Sequence, residues 1–444
     1  MQLRWSVALC VLVTVLPNAS AFGAGHEGVV NSLPEPGLMV AAQGELTAGT
    51  GGTTEEGGGM ATAPYPPVLP GLRLEFPRDY GAHPDFRTEW WYATGWTRDE
   101  RGAERGFQIT FFRVRTLIGE DSSSRFAPSQ LIIAHAAIAD PARGRLLHAE
   151  RAGRAFDPLA GAYRGSTRVW LDDWSFVLES AVERTADARS EVEPVAGAGD
   201  ERGGGEGEAV DRSVAFSGDH DRVLAEGRVE RYRARIAAEQ FSLDLGFVAK
   251  APPVLNGDGG WSQKAPGAAH SSYYYSRPQL VVDGTMVIDG REMAVTGHAW
   301  LDHEWSTEIL PEQASGWDWI GINLHDGGSL MAFQMRDHNH LPIWNAATHV
   351  EAGNKRIHSP DEVRFRPLRE WVSPRTGRRY PVEWEVRVGE RFFLLRPLMD
   401  DQELDSRAST GSVYWEGAVR LFEKGGEIGQ GYLEMTGYGD RLRM

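Results

Sequence analysis

The chain has 444 residues, 52 of them glycine and 15 tryptophan, and a formal charge of −16. That length exceeds one ordinary domain. The acidity, with no basic stripe to offset it, excludes a nucleic-acid partner, which needs clustered Lys and Arg.

Residues 1–21 predict a secretory signal peptide. Arg4 supplies the positive start, Trp5 to Leu16 a short apolar core, and Ala19-Ser20-Ala21 a small-residue cleavage site. That core is too short to span a bilayer and no later run is long enough. The mature chain is therefore expected to lack a transmembrane segment and to be periplasmic or secreted. The single cysteine, Cys10, lies inside this segment, so the processed chain has no disulfide, thiol nucleophile or thiolate metal site. Residues 22–66, rich in Gly, Ala, Thr and Pro without an apolar period, predict a disordered leader.

From residue 67 the signal changes to short alternating stretches such as GFQITFFRVR, QLVVDGTMVIDG and YPVEWEVRVGERFFLLRPL. Asp283-Gly284, Asp289-Gly290 and Asp326-Gly327-Gly328 carry hairpin-turn chemistry. Strands recurring about every ten residues, with little helical periodicity, predict an all-β sandwich or barrel. The acidic, Gly-rich stretch 182–213 predicts a disordered loop inserted between two strands.

No nucleophile elbow, H-E-x-x-H, P-loop or dinucleotide fingerprint is present. In HPDFRTEWWYATGW (83–96), Glu89 and Trp91 share one strand face and Trp90 and Tyr92 the other. An acid among tryptophans needs a partner, and Arg87 is nearest in register. Glu89 either lines a cavity or closes a barrel end in an ion pair, the ion pair being the simpler account. In SSYYYSRPQL (271–280), Tyr273 and Tyr275 face together and Tyr274 opposes them. They form either a phenolic lining or cross-strand aromatic packing.

GHAWLDHEW (297–305) places His298, Trp300, Asp302 and Glu304 on one face and Ala299, Leu301, His303 and Trp305 on the other. A carboxyl in an aromatic pocket has its charged form disfavoured, which makes Asp302 the leading general-acid candidate. Two other readings stay open: a buried Asp satisfied by a neighbouring turn, and a metal set of His298, Asp302 and His303. Alternation opposes the metal set, because His303 faces away. His338 and His340 read as a solvated loop. No metal or cofactor is expected.

Taken together, HPDFRTEWWY, YYYSRPQL, GHAWLDHEWST, GWDWIGINLHDGGSLMAFQMR and GQGYLEMTGYG resemble the hydroxyneurosporene synthase family, also described as carotenoid 1,2-hydratase-like or AttH-like. The resemblance runs from near residue 70 to the C-terminus. It implies two tandem lipocalin-like antiparallel β-barrels, 67–310 and 311–444. It also implies that Asp302 donates a proton to a terminal isoprenoid double bond. His298 and Trp300 would orient the acid, Tyr273 and Tyr275 would line its pocket, and Glu89, Trp91, Trp317 and Trp319 would lie near the domain junction. Tyr273 and Tyr275 stand where the family's carotenoid hydratases carry His-x-Trp, and Trp300 where they carry Tyr. This directs the expectation to another hydrophobic ligand, isoprenoid- or lipid-like, handled by a cofactor-free hydratase or hydrolase. The alternative is a non-enzymatic lipid carrier of the cell envelope, associated with a transporter.

Overall fold

The computed structural model describes residues 65–183, 228–308 and 310–439. The expected signal peptide (1–21) lies outside them, as do all but the last two residues of the expected leader and the first two of the expected insert. Those two, Val182 and Glu183, end the strand Trp174–Glu183, whose antiparallel neighbour is Arg228–Ala237. The acidic segment therefore joins adjacent strands. Apart from one turn of 3-10 helix, Arg78–Tyr80, every element among the described residues is a β-strand. No helix there is long and apolar enough to cross a membrane.

The strands form two antiparallel sheets, a 13-stranded one between Thr88 and Glu308 and a 10-stranded one between Ala314 and Met435. In each, the first strand pairs with both its successor and the last strand: Thr88–Asp99 with Glu104–Arg115 and Arg291–Glu308, and Ala314–Leu324 with Ser329–Asp337 and Gly426–Met435. This connectivity curls each sheet in the lipocalin-like manner around its own core. The first encloses Trp91, Phe107, Phe111, Leu245 and Phe247; the second encloses Ile320, Leu330, Trp384, Val386 and Leu433. Each such side chain contributes roughly 1.5–3 kcal/mol by leaving water. The first sheet is a nearly closed barrel: Gly153, near one edge, lies against Leu171 near the other.

The described residues belong to one unit, Thr62–Met444, and the two sheets meet through a third apolar cluster. Tyr92, Trp96, Tyr274 and Trp300 of the first sheet pack on Trp319, Phe333 and Tyr432 of the second. Gly106 permits the approach, since a Cβ there would lie 2.6 Å from the Ala418 Cβ. Trp96 Nε1 donates to the Gly431 carbonyl at 2.9 Å, and Arg420 pairs with Glu104 across the seam.

This double covering explains GHAWLDHEW. Early in Arg291–Glu308 exposed and buried positions alternate, but every residue from Ala299 to Ser306 is buried. One face enters the first barrel and the other lies under the second sheet.

Of the three expected turns, two are turns. Asp289-Gly290 joins Ser271–Ile288 to Arg291–Glu308 with φ of 49° and 78°, as a two-residue type I′ hairpin requires. Asp326-Gly327-Gly328 joins Ala314–Leu324 to Ser329–Asp337. Asp283-Gly284 instead lies within Ser271–Ile288, opposite Thr296 and Val295. A Cβ at Gly284 would meet the Asp244 carbonyl oxygen at 2.2 Å, so this glycine serves close strand approach.

Candidate active site

The Asp289-Gly290 turn sets the register of the two long strands, placing Ile288 opposite Arg291 and Val281 opposite His298. Continued unbroken, it would put Arg277 opposite Asp302 and turn Tyr273 and Tyr275 to the acid's face. The ladder instead shifts between Arg277 and Leu280, where Gln279 takes a φ of 58°. The second sheet holds this bulge. The Gln279 backbone N–H donates to Asn323 Oδ1 at 2.8 Å, and its side-chain amide donates to the Leu324 and Gly328 carbonyls at 2.8 and 2.7 Å. A one-residue shift exchanges the faces of a strand. Ser276 therefore stands opposite Asp302 and Tyr274 opposite Glu304.

Three donors converge on Asp302, which is 3 % exposed. Trp300 Nε1 and Ser276 Oγ reach Oδ1, both at 2.6 Å, and the Tyr274 hydroxyl reaches Oδ2 at 2.7 Å. The Tyr274 oxygen in turn accepts from Trp319 Nε1 at 3.1 Å, tying the acid to the second sheet. Burial pushes the Asp302 carboxyl up to about 7 against these hydrogen bonds, and the Glu304 charge adds to the rise. The group can therefore carry a proton near neutrality and release it.

Asp302 opens on a cavity of about 320 Å³ between the sheets, walled by Trp90, Tyr92, Phe112, Trp317, Trp319 and Phe333. Lys264 Nζ lies in it, 2.9 Å from Glu304 Oε1 and over the Tyr274 and Phe333 rings at 4.5 and 4.8 Å. At one side His135 bridges the sheets, Nδ1 at 2.7 Å from the Tyr414 hydroxyl and Nε2 at 2.8 Å from Ser409 Oγ. Burial lowers its basicity to about 3, so its ring is neutral. Glu416 and Glu434 line the same cavity from the second sheet.

The residues expected from sequence divide between this cavity and other places. Trp300 contacts the acid directly, and Trp317 and Trp319 wall the cavity. Tyr273 and Tyr275 do not reach it, because the bulge turns them the other way. The Tyr273 hydroxyl bonds the backbone of Leu69, and that of Tyr275 lies 3.1 Å from His303 Nδ1. His298 is exposed and borders a separate polar pocket with Gln279, Asn323 and His325, beyond Trp300. It lies four residue steps along the strand from Asp302, about 13 Å, so it does not orient the acid.

Trp91 points into the first barrel and stacks on His303 at 4.7 Å. Glu89 borders the cavity but directs its carboxylate to Arg113 Nε at 2.7 Å, His83 Nδ1 at 2.8 Å and His303 Nε2 at 2.9 Å. Its ion-pair partner is thus Arg113, directly opposite on the neighbouring strand, and not Arg87. Burial opposes its ionisation, but Arg113 and the two histidines hold it well below the usual carboxylate range. His83, Glu89 and His303 also bring ligand-type atoms within 4.8 Å of one another. Those atoms are hydrogen-bonded to each other, and Arg113 supplies the positive charge a cation would bring.

Tyr274, Ser276, Lys264 and the two second-sheet glutamates were not singled out from sequence. Glu416 in VYWEGAV and Glu434 in GYLEMTG carry the signal that marked Asp302, an acid inside an apolar strand. Lys264 precedes a loop and has no such signature.

The AttH-like family model matches residues 67–197 and 199–438. Among solved structures, one from Nitrosomonas europaea with a provisional AttH designation is 44% identical, covers 84% of this chain and 100% of its own, and superposes with a TM-score of 0.68. Kievitone hydratase from Nectria haematococca shares the fold at 13% identity, with a TM-score of 0.55 over 84% of this chain and 98% of its own. No curated protein matches the chain. Sequence match and fold agree, and the chain belongs to the AttH-like family.

Proposed function

We propose that this chain binds an uncharged hydrophobic ligand, isoprenoid- or lipid-like, between its two sheets and adds water to it, or removes water from it, with Asp302 as proton donor. The observation that carries this reading is a buried carboxyl, pushed up to about 7, opening on an aromatic cavity. Its proton passes to a double bond, and in the reverse direction its carboxylate takes that proton back from carbon as the hydroxyl leaves. The π-faces of Trp317, Trp319 and Tyr92 then stabilise the cation that develops. Trp300, Ser276 and Tyr274 receive the carboxylate left behind, so the charge formed in the transition state meets three donors already in place. A hydratase among proteins of the same fold supports the reaction class. No cofactor is needed for these steps. We further propose that the chain works in the periplasm or outside the cell, as its N-terminal segment reads.

The test is to extract ligand from the purified protein, wild type beside Asp302→Asn, and identify it by mass spectrometry. Asp302→Asn retaining an intact lipid, while wild type carries the hydrated or dehydrated form, supports the enzyme. The same unmodified lipid in both makes the protein a carrier, the role in which an envelope transporter would be its partner.

A further inference from the structure

Glu416 on Ser412–Glu423 and Glu434 on Gly426–Met435 stand directly opposite one another in the antiparallel ladder. Both face the cavity that holds Asp302. Opposed side chains in such a ladder have Cβ atoms about 4.5–5.5 Å apart, and two carboxylates that close in an apolar enclosure cannot both ionise. Among the described residues neither has a lysine or arginine within ion-pair distance. Their polar neighbours are the Tyr92 phenol at Glu416 and the Trp317 indole at Glu434. Burial holds both carboxyls above the usual range, with the Glu434 charge adding to the rise at Glu416 and the Glu304 and Asp302 charges adding to it at Glu434. A fold gains nothing from two unpaired acids in this place, since apolar residues of similar volume would be neutral or stabilising.

The placement links the pair to Asp302. Tyr92, which lines the same cavity as Glu416, is itself directly opposite Asp302 in the first sheet. Acid and pair thus enter one chamber from facing sheets. We propose that Glu416 and Glu434 share one proton and act together as the base that takes a proton from water, opposite Asp302.

This rests on the reading of Asp302 as donor. In hydration the double bond's electron pair takes the Asp302 proton, and the O–H bond of the acid breaks. Water oxygen then bonds to the cationic carbon while one water proton passes to the singly protonated pair. The product is the alcohol, Asp302 is left ionised and the pair holds two protons. The cycle closes when the pair releases one proton and Asp302 regains one. Dehydration runs the same steps backwards.

Carbon-13 NMR of protein labelled at the glutamate carboxyls tests the shared proton without any ligand. Two coupled, well-separated titration steps are expected in wild type, with Glu416→Gln leaving one step below the upper of the two. A Glu434 titration unmoved by Glu416→Gln overturns the pairing. Turnover is read with geranylgeraniol, a neutral polyisoprenoid, as probe in oxygen-18 water. Glu416→Gln and Glu434→Gln should each lower label incorporation about a hundredfold or more, and Glu434→Asp should restore part of it. Full incorporation in both glutamine variants, with Asp302→Asn inactive, removes the base and leaves the acid standing. No incorporation by wild type removes both. Glutamine is nearly isosteric with the protonated acid, and unchanged backbone spectra identify folded variants.

Discussion

Replacing Asp302 with Asn should make the protein more stable at neutral and alkaline pH than at acid pH, relative to wild type. The Asp302 carboxyl rises from an ordinary 3.8 to about 7 in the folded chain. Between those values the native state binds more protons at this group than the unfolded chain does. Wild-type stability therefore falls as pH rises through this window and levels off above it. At 1.36 kcal/mol per pH unit the full effect is about 4 kcal/mol. Asn is always neutral and escapes this penalty, but its amide NH₂ replaces the acceptor for the Tyr274 hydroxyl, a constant offset of about 1 kcal/mol. Urea unfolding of both proteins from pH 4 to 8.5 gives the difference curve. It should climb in favour of Asp302→Asn by several kcal/mol, with most of the rise before pH 7. A difference flat to within about 1 kcal/mol, the size of one ordinary hydrogen bond, would mean that Asp302 ionises as it does in water, and the proton-donor reading would lose its basis.

Other variants separate the two faces of the tyrosine run and the two buried acid networks. Tyr274→Phe removes a hydrogen bond that lowers the Asp302 pKa, so the carboxyl's NMR titration should move above its wild-type midpoint. Tyr275→Phe should leave it in place, and an equal shift in both would contradict the bulged register. Arg113→Met strands the buried Glu89 carboxylate and should cost about 3–5 kcal/mol at pH 7. Because Glu89 is held below its ordinary value in the folded state, its stabilisation is present above the unfolded pKa and is lost as pH falls. The Arg113→Met deficit should therefore shrink on acidification, and a deficit independent of pH would indicate lost packing alone.

Much of the site was legible in the alternation of GHAWLDHEW. It separates Asp302 from His303, and the structure puts them in different networks, one in the cavity and one with Glu89 in the first barrel. Alternation groups residues by face but does not say what each face meets. Tyr273 and Tyr275, grouped by alternation and placed by resemblance, would face the acid if the Asp289-Gly290 register ran straight along the strand, and a bulge turns them away. That bulge is held by contacts from Asn323, Leu324 and Gly328, residues more than forty positions away that no local pattern connects to it. His298 failed for a simpler reason: sharing a face does not bring residues four apart on a strand into contact. The second-sheet glutamates were readable as acids in apolar strands, but only the docking of the two sheets makes them neighbours of Asp302.

The bulge at Gln279 also means that the chamber is specified by backbone register as well as by side chains. Upstream and downstream of it the strand runs in two different phases. Deleting one residue there would restore a single phase and keep Ser276 and Tyr274 along the acid, whereas flattening the bulge with no residue lost would exchange them for Tyr273, Tyr275 and Arg277. A related chain of the same length could thus acquire a wholly different lining by losing the contacts that hold the bulge, with every side chain of the strand conserved. An ungapped alignment with a chain that lacks the bulge would match the letters and mistake the pocket.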